Sequence, residues 1–368
     1  MNTSCRQIVA AVVLGVAGGI VEATRAQQSG PAPGPPSAET PLPKRDAAGE
    51  AKVTDRLKEE SGKLMELCRT PLAKSFLRAV GGLPEPKPRT VWRTKDKSKA
   101  YSQKEYDKLS AEEKRDLTRR DCTPEFFYYT GYGCPLIYSR PLEVLSEKMG
   151  ADWRPARVLD FGYGSIAHLR LMVSLGMDIH GIEVELVLRA LYSEAGDTGQ
   201  IEGAMQRPGG RLTLHDGHWP GDAALKKAVG GGYDLIVSKN TLKLSYIHPE
   251  REVDEKYLVK LGVDDETFVR ALHGALNPSG VVLIYNIAPA QNPPGQPYLA
   301  HANGHCPFPR ELLEKVGFQV IAFDENDSEA IHKVWLKLGL LGKDEKAEDL
   351  PKNLFAHYTL LRKNSLSR

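Results

Sequence analysis

The stretch Val158-Leu159-Asp160-Phe161-Gly162-Tyr163-Gly164-Ser165-Ile166-Ala167 decides how the chain is read. A short apolar run leads into a turn with two glycines, and the turn opens a segment with helical spacing. Glycine lets the backbone come close to a bound ligand. The start of a helix presents free amide donors beside it. Such a unit lies at the carboxyl edge of a strand, where open α/β sheets bind ligands. Gly162-x-Gly164-x-x-Ala167 also fits a dinucleotide pattern, with Glu183 about twenty residues on, where a ribose-binding acid belongs.

Strand-like and helix-like segments alternate outward from this unit. Arg157 to Asp160 reads as a strand, Ile166 to Leu175 as a helix, Asp178 to Glu183 as the second strand and Val184 to Tyr192 as a helix. Arg211 to Leu214 and Tyr233 to Ser238 are strands three and four. Asp264 caps a helix running to Leu276, and Val281 to Ile287 is the fifth strand. Phe318 to Phe323 and His357 to Leu361 end the chain as a hairpin-like pair with a longer connection. The pattern predicts an α/β fold: a doubly wound, mainly parallel seven-stranded sheet with an antiparallel terminal strand, plus an N-terminal helical extension.

Asp160, two residues before Gly162, resembles the acid in the first motif of class I S-adenosylmethionine (SAM) dependent methyltransferases, where it supports the methionine end of the cofactor. The family often has a third glycine where this chain has Ile166. Gly181-Ile182-Glu183 resembles the second-strand acid that holds the ribose hydroxyls, and two carboxylate oxygens suit a diol. Leu214-His215-Asp216-Gly217 resembles the third-strand acid at the adenine amino group. Tyr233 to Asn240 resembles the fourth strand, whose end faces the transferred methyl. Leu276-Asn277-Pro278-Ser279-Gly280 resembles the turn into the fifth strand, with Ser279 in place of a glycine, and Gly317 to Val320 resembles the turn into the terminal strands. The likeness covers residues 150–363. It implies SAM as cofactor, bound by Asp160, Gly162, Gly164, Glu183, Asp216 and Ser238. Each acid also has an ordinary explanation: Asp160 as a helix cap, Glu183 as an acid at a helix start, Asp216 as a turn residue.

Methyl transfer from a sulfonium is an in-line displacement, so alignment supplies much of the rate. A base is needed only where the acceptor loses a proton. The catalytic candidates are Asn240, Lys243 and His248, after the fourth strand. Asn240 is not in an Asn-Pro-Pro-Tyr sequence, so methylation of base or glutamine amino groups is not indicated. His301, His305 and Cys306, and the pair His215 and His218, share no helical face, so no metal is expected. Net charge is only +2, which gives no reason to expect nucleic acid or an anionic membrane as partner, and the lack of a strongly basic domain or a protein-binding repeat favours a small-molecule acceptor.

Residues 1–26 read as a signal peptide or N-terminal anchor: Arg6 precedes an apolar run from Ile8 to Val21, and Thr24 and Ala26 suit a cleavage site. Such a signal implies export to the periplasm or cell exterior. An uncleaved segment would leave the protein membrane-anchored with its domain in the cytoplasm, and this is the sole membrane link expected. Residues 27–50 are a Pro/Ala/Gly-rich flexible linker. Residues 51–150 form a helical extension or cap, and 151–363 the SAM-binding domain. Because SAM is made in the cytoplasm, export sets a second reading beside the enzyme: an exported, non-catalytic binding protein that keeps the methyltransferase fold. Of five cysteines, the four that remain once the presumed signal with Cys5 is removed, Cys68, Cys122, Cys134 and Cys306, allow disulfides or free, mostly buried thiols. The aromatic run Phe126 to Tyr138 is either a lid over a ligand or packing between cap and sheet.

Overall fold

The computed structural model describes residues 52–342 and 345–364. The expected signal (1–26) and linker (27–50) lie outside the described residues. No described helix is long and apolar enough to cross a membrane.

The cap begins with helices Val53–Met65 and Pro71–Arg78, with Pro71 opening the second, where its missing N–H costs no helical bond. It then differs from a purely helical extension. Strands β1 (Arg89–Thr94), β2 (Ala100–Ser102) and β3 (Leu117–Cys122) form a small antiparallel sheet in the order β2-β1-β3. The basic residues of this segment obscure its alternation in the sequence. Ser102 with Glu105 and Ser110 with Glu113 form capping boxes, each starting a helix of four residues.

The main sheet contains β4 (Arg157–Phe161), β5 (Asp178–Glu183), β6 (Gly199–Gln200), β7 (Arg211–Asp216), β8 (Tyr233–Lys239), β9 (Leu276–Pro289), β10 (Phe318–Asn326) and β11 (Leu354–Lys363). Their order is β10-β11-β9-β8-β4-β5-β7-β6. β7, β5, β4, β8 and β9 run parallel, and β11 is inserted antiparallel between β9 and β10. This is the expected doubly wound sheet with its antiparallel terminal strand. An eighth strand, the two-residue β6, pairs antiparallel with β7 at the edge. The connection between β10 and β11 contains a further helix, Ser328–Leu338.

Successive residues of the central strands enter opposite cores. Val158, Leu235, Val237 and Leu283 join the core on the cap side, with helix Ile166–Ser174 and cap residues Leu57, Leu64 and Phe76. Leu159, Ile236, Val282 and Ile284 face the other core, against helix Asp265–Ala275. Asp160 follows Val158 by two, and Lys239 follows Val237 by two, so both belong to the cap-side face. β4 feeds β5 on one side, while β8 lies on its other side. The crevice between β4 and β8 is therefore the topological switch point.

Candidate active site

The loops leaving β4 and β8 line a cavity of about 30 Å³, room for about one or two waters. Its floor is Gly162 to Ser165 and Lys239 to Thr241. Its roof is the segment from Tyr132 to Tyr138. Gly162 and Gly164 have φ of +78° and +58°. A Cβ on Gly162 would lie 2.1 Å from Thr241 Oγ1, and one on Gly164 would lie 2.9 Å from the Tyr132 ring. Glycine is required at both positions by conformation and by room.

Asp160 ends β4 with no exposure. Its Oδ2 accepts from the Tyr138 hydroxyl and from His168 Nε2, each at 2.9 Å. The Tyr138 and His168 rings stack with centroids 3.7 Å apart. Burial lowers the His168 pKa against the pull of Asp160. Asp160 Oδ1 and the Tyr163 hydroxyl are buried with no hydrogen-bond partner among the described residues.

Lys239, the last residue of β8, lines the same cavity. Its ammonium lies over the Tyr138 ring, 5.3 Å from the centroid. Burial pushes the amine down to about 8, with the Asp160 charge pulling the other way.

Glu183 ends β5 and is turned onto the backbone. Its carboxylate accepts from the amides of Gly164 at 3.1 Å, Val184 at 2.8 Å and Glu185 at 3.3 Å. Burial raises its pKa to about 7 despite those three donors. Asp216 stands exposed at the end of β7. Ser238 is buried, and its Oγ accepts from the Leu242 amide at 3.3 Å, shaping the turn after β8.

The structure separates the three catalytic candidates. Asn240 lines the cavity, but its Oδ1 accepts from the Ile287 amide at 2.7 Å. Lys243 is fully buried and donates to the carbonyls of Ile287 (2.6 Å) and His301 (3.2 Å), tying the turn after β8 to β9 and to the loop that follows it. His248 is exposed, pairs with Asp265 at 2.8 Å and lies outside the cavity. The cavity thus brings together Gly162, Gly164 and Asn240 and adds Tyr132, Tyr138, His168, Lys239 and Thr241, while Asp160 lies behind its wall, bonded to Tyr138 and His168. Lys239 had a signal in the sequence, being the last residue of the fourth strand. His168 had none, since its partner Asp160 lies eight residues away on another element.

The histidines and cysteines weighed as ligands have other neighbours. His215 meets His180 Nδ1 at 3.0 Å, His218 faces the Lys260 carbonyl at 3.3 Å, and His305 faces Asn303 at 2.8 Å. His301 is buried. Cys68, Cys122, Cys134 and Cys306 are all thiols.

The aromatic run divides between its two readings. Tyr128 donates to the Pro84 carbonyl at 2.6 Å and Tyr129 to Glu60 at 2.7 Å, binding the segment to the cap. Tyr132 and Tyr138 face the cavity. Thr130 Oγ1 lies 3.0 Å from the Gly164 carbonyl, and Ser165 Oγ donates to the Tyr128 carbonyl, so roof and floor are joined. Thr130 has φ of +51° and ψ of −147°, a region that β-branched residues avoid.

No protein family and no curated protein matches the chain. Solved structures do superpose on it. Phosphoethanolamine N-methyltransferase 2 of Haemonchus contortus, in complex with SAM, is 14% identical over 79% of this chain and 74% of its own, with a TM-score of 0.37. The 4+2 cyclase SpnF is 15% identical over 83% and 96%, with a TM-score of 0.34. An arsenic(III) SAM methyltransferase of Chlamydomonas reinhardtii is 15% identical over 58% and 65%, with a TM-score of 0.32. These superpositions are loose, and the fold assignment rests on strand order and register, not on them.

Proposed function

We propose that the chain is a SAM-dependent methyltransferase acting on a small-molecule acceptor. The observation that carries this reading is the glycine turn 162–164 at the switch point, with the buried, half-satisfied carboxylate of Asp160 directly before it. The chemistry of the site suits SAM. Asp160 Oδ1 has lone pairs for an ammonium, and the glycines give a ligand access to the backbone. When bound, SAM supplies an electrophilic methyl group. The protein's own part is to bind and orient it, and to exclude water beneath the aromatic roof.

Room is the remaining requirement. A ligand pocket of this class spans about 300 Å³ or more, against the present 30 Å³. Entry therefore requires the roof to withdraw. Tyr132 stands between Gly131, where an added Cβ would meet nothing within 4 Å, and Gly133 at φ +82°, so the segment has the backbone freedom to do so. Acceptor choice follows from the same roof.

The closed cavity also favours a second reading, a non-catalytic binding protein that keeps this fold. The N-terminal segment 1–26 fits either, as an export signal or as an anchor. Titration calorimetry of the full chain with SAM tests the enzyme reading. Saturable binding that weakens at least tenfold in Asp160→Asn supports it. Absence of binding by well-folded wild type would sink it.

A further inference from the structure

The near-neutral total charge conceals an uneven distribution. Residues 87–120 hold twelve Lys and Arg against six Asp and Glu, while the rest of the chain holds 37 against 41. This segment is the small cap sheet with its two short helices. Four of its six acids are engaged: Asp96 by Ser98, Glu105 by Ser102 and Arg189, Asp107 by Gln103 and Glu113 by Ser110. The cations of the turn between β1 and β2 are not. Lys95, Lys97 and Lys99 are exposed and make no ion pair among the described residues, although Glu113 lies in the field of Lys99.

The turn holds these lysines out by its own backbone. The Lys97 amide donates to the Thr94 carbonyl at 3.0 Å, and the Thr94 amide to the Lys99 carbonyl at 3.1 Å. Lys97 has φ of +61°, a conformation for which turns favour glycine or asparagine. A lysine there carries a backbone cost with no ion pair inside the fold to offset it, which points to a partner outside. Beside the turn, partly buried Trp92 stacks on Tyr106 at 3.8 Å, and the Lys114 ammonium lies 4.9 Å from the Tyr106 centroid. With Trp92 on one side and Lys114 on the other, Tyr106 has no face left for a nucleobase, which single-strand binders require. Amphipathic rings among exposed lysines suit a bilayer interface, where rings lie at headgroup level and cations meet lipid phosphates.

We infer that the turn Lys95 to Lys99 and the adjoining face of the cap sheet dock on an anionic bilayer surface. Charge complementarity carries this, and the chain order favours a bilayer as occupant. Only residues 22–52 separate the apolar run Ile8 to Val21 from the cap, so a bilayer that meets the run lies within about 110 Å of the cap of the same chain. A weak attraction suffices at the effective concentration such a tether sets.

Cosedimentation of the full chain with vesicles of phosphatidylcholine alone, or with phosphatidylglycerol added, tests it. The apolar run meets both vesicles alike, so the ratio of the two affinities reports the cap. Wild type should bind the anionic vesicles at least about tenfold tighter at low salt and near parity at about 1 M salt, where screening acts within about 3 Å. Lys97→Gly relieves the turn and should keep the fold while lowering that ratio about fivefold. Adding Lys95→Gln and Lys99→Gln should abolish it. Equal binding of both vesicles by wild type overturns the inference without any variant. An anionic preference retained by the triple variant, folded by circular dichroism, overturns it as well. Tighter binding to a single-stranded oligonucleotide than to anionic vesicles would give the surface to nucleic acid. Self-association that the triple variant loses would give it to a second copy of the chain. Either result overturns membrane docking.

Discussion

The Tyr132 ring covers Gly164 so closely that a Cβ on residue 164 would come within 2.9 Å of it. The contact joins the cap to the turn after β4 and closes the cavity. It also makes both residues sensitive probes of the roof.

Gly164→Ala would force an L side chain to φ near +58° as well as against the ring. A loss of about 1–3 kcal/mol is expected from these two effects, read by chemical denaturation. Tyr132→Ala should leave stability closer to wild type, because the ring is only partly buried, and should speed SAM association in stopped-flow measurements. An unchanged association rate would show that Tyr132 is not the barrier to entry.

Lys239 and Lys243 should respond oppositely to removal. Lys243→Ala leaves the carbonyls of Ile287 and His301 without their buried donor, with an expected loss of about 2–4 kcal/mol. Lys239 has a folded pKa of about 8 against an ordinary 10.5. Its contribution is fully favourable only above 10.5, where the amine is neutral in both states, and is lost as pH falls through 8. At pH 7 Lys239→Met should therefore stabilise the fold by about 1–2 kcal/mol, a gain that vanishes near pH 11. Denaturation curves at the two pH values decide it.

Glu183 has the opposite sign on the pH axis. Its carboxyl is raised from 4.5 to about 7 in the folded state. The stability this gives is complete below pH 4.5, where both states are protonated, and is lost as pH rises through 7. The advantage of wild type over Glu183→Ala should shrink by about 2–3 kcal/mol between pH 4.5 and 8. A constant difference would show that the three backbone donors hold the carboxylate ionised throughout.

Cys122, Cys134 and Cys306 are buried thiols, and Cys68 is partly accessible with its thiol pushed up to about 11 by burial. Of these four, a thiol reagent at pH 8 should label Cys68 slowly and the other three only after denaturant is added, the label at each being located by peptide mapping. Fast labelling of Cys134 in the native protein would place the roof in frequent motion, since Cys134 lies in that segment and contacts Glu60 at 3.1 Å.

Local pattern carried most of the fold. The apolar runs at Val158, Ile179, Leu212, Leu235 and Val281 are strands because each is short, apolar and bounded by turn residues. A cap such as Ser102 with Glu105 can be read from a sequence because it is a contact between near neighbours. What a side chain meets across the fold was not legible. Nothing near Lys239 or Lys243 in the chain says that one amine will find two carbonyls and the other none. That depends on where β9 and the loop after it return, 44 and 58 residues later. Nor does the sequence say that Tyr132 will lie on Gly164, or that residues 89–122 will pair as strands with so many cations among them. The sequence by itself determined the strands, the glycine turn and the acids that end the strands, because these follow from periodicity and backbone conformation. Only the tertiary structure decided which charges are satisfied and whether the cavity stands open, because solvation and packing are set by neighbours distant in the chain.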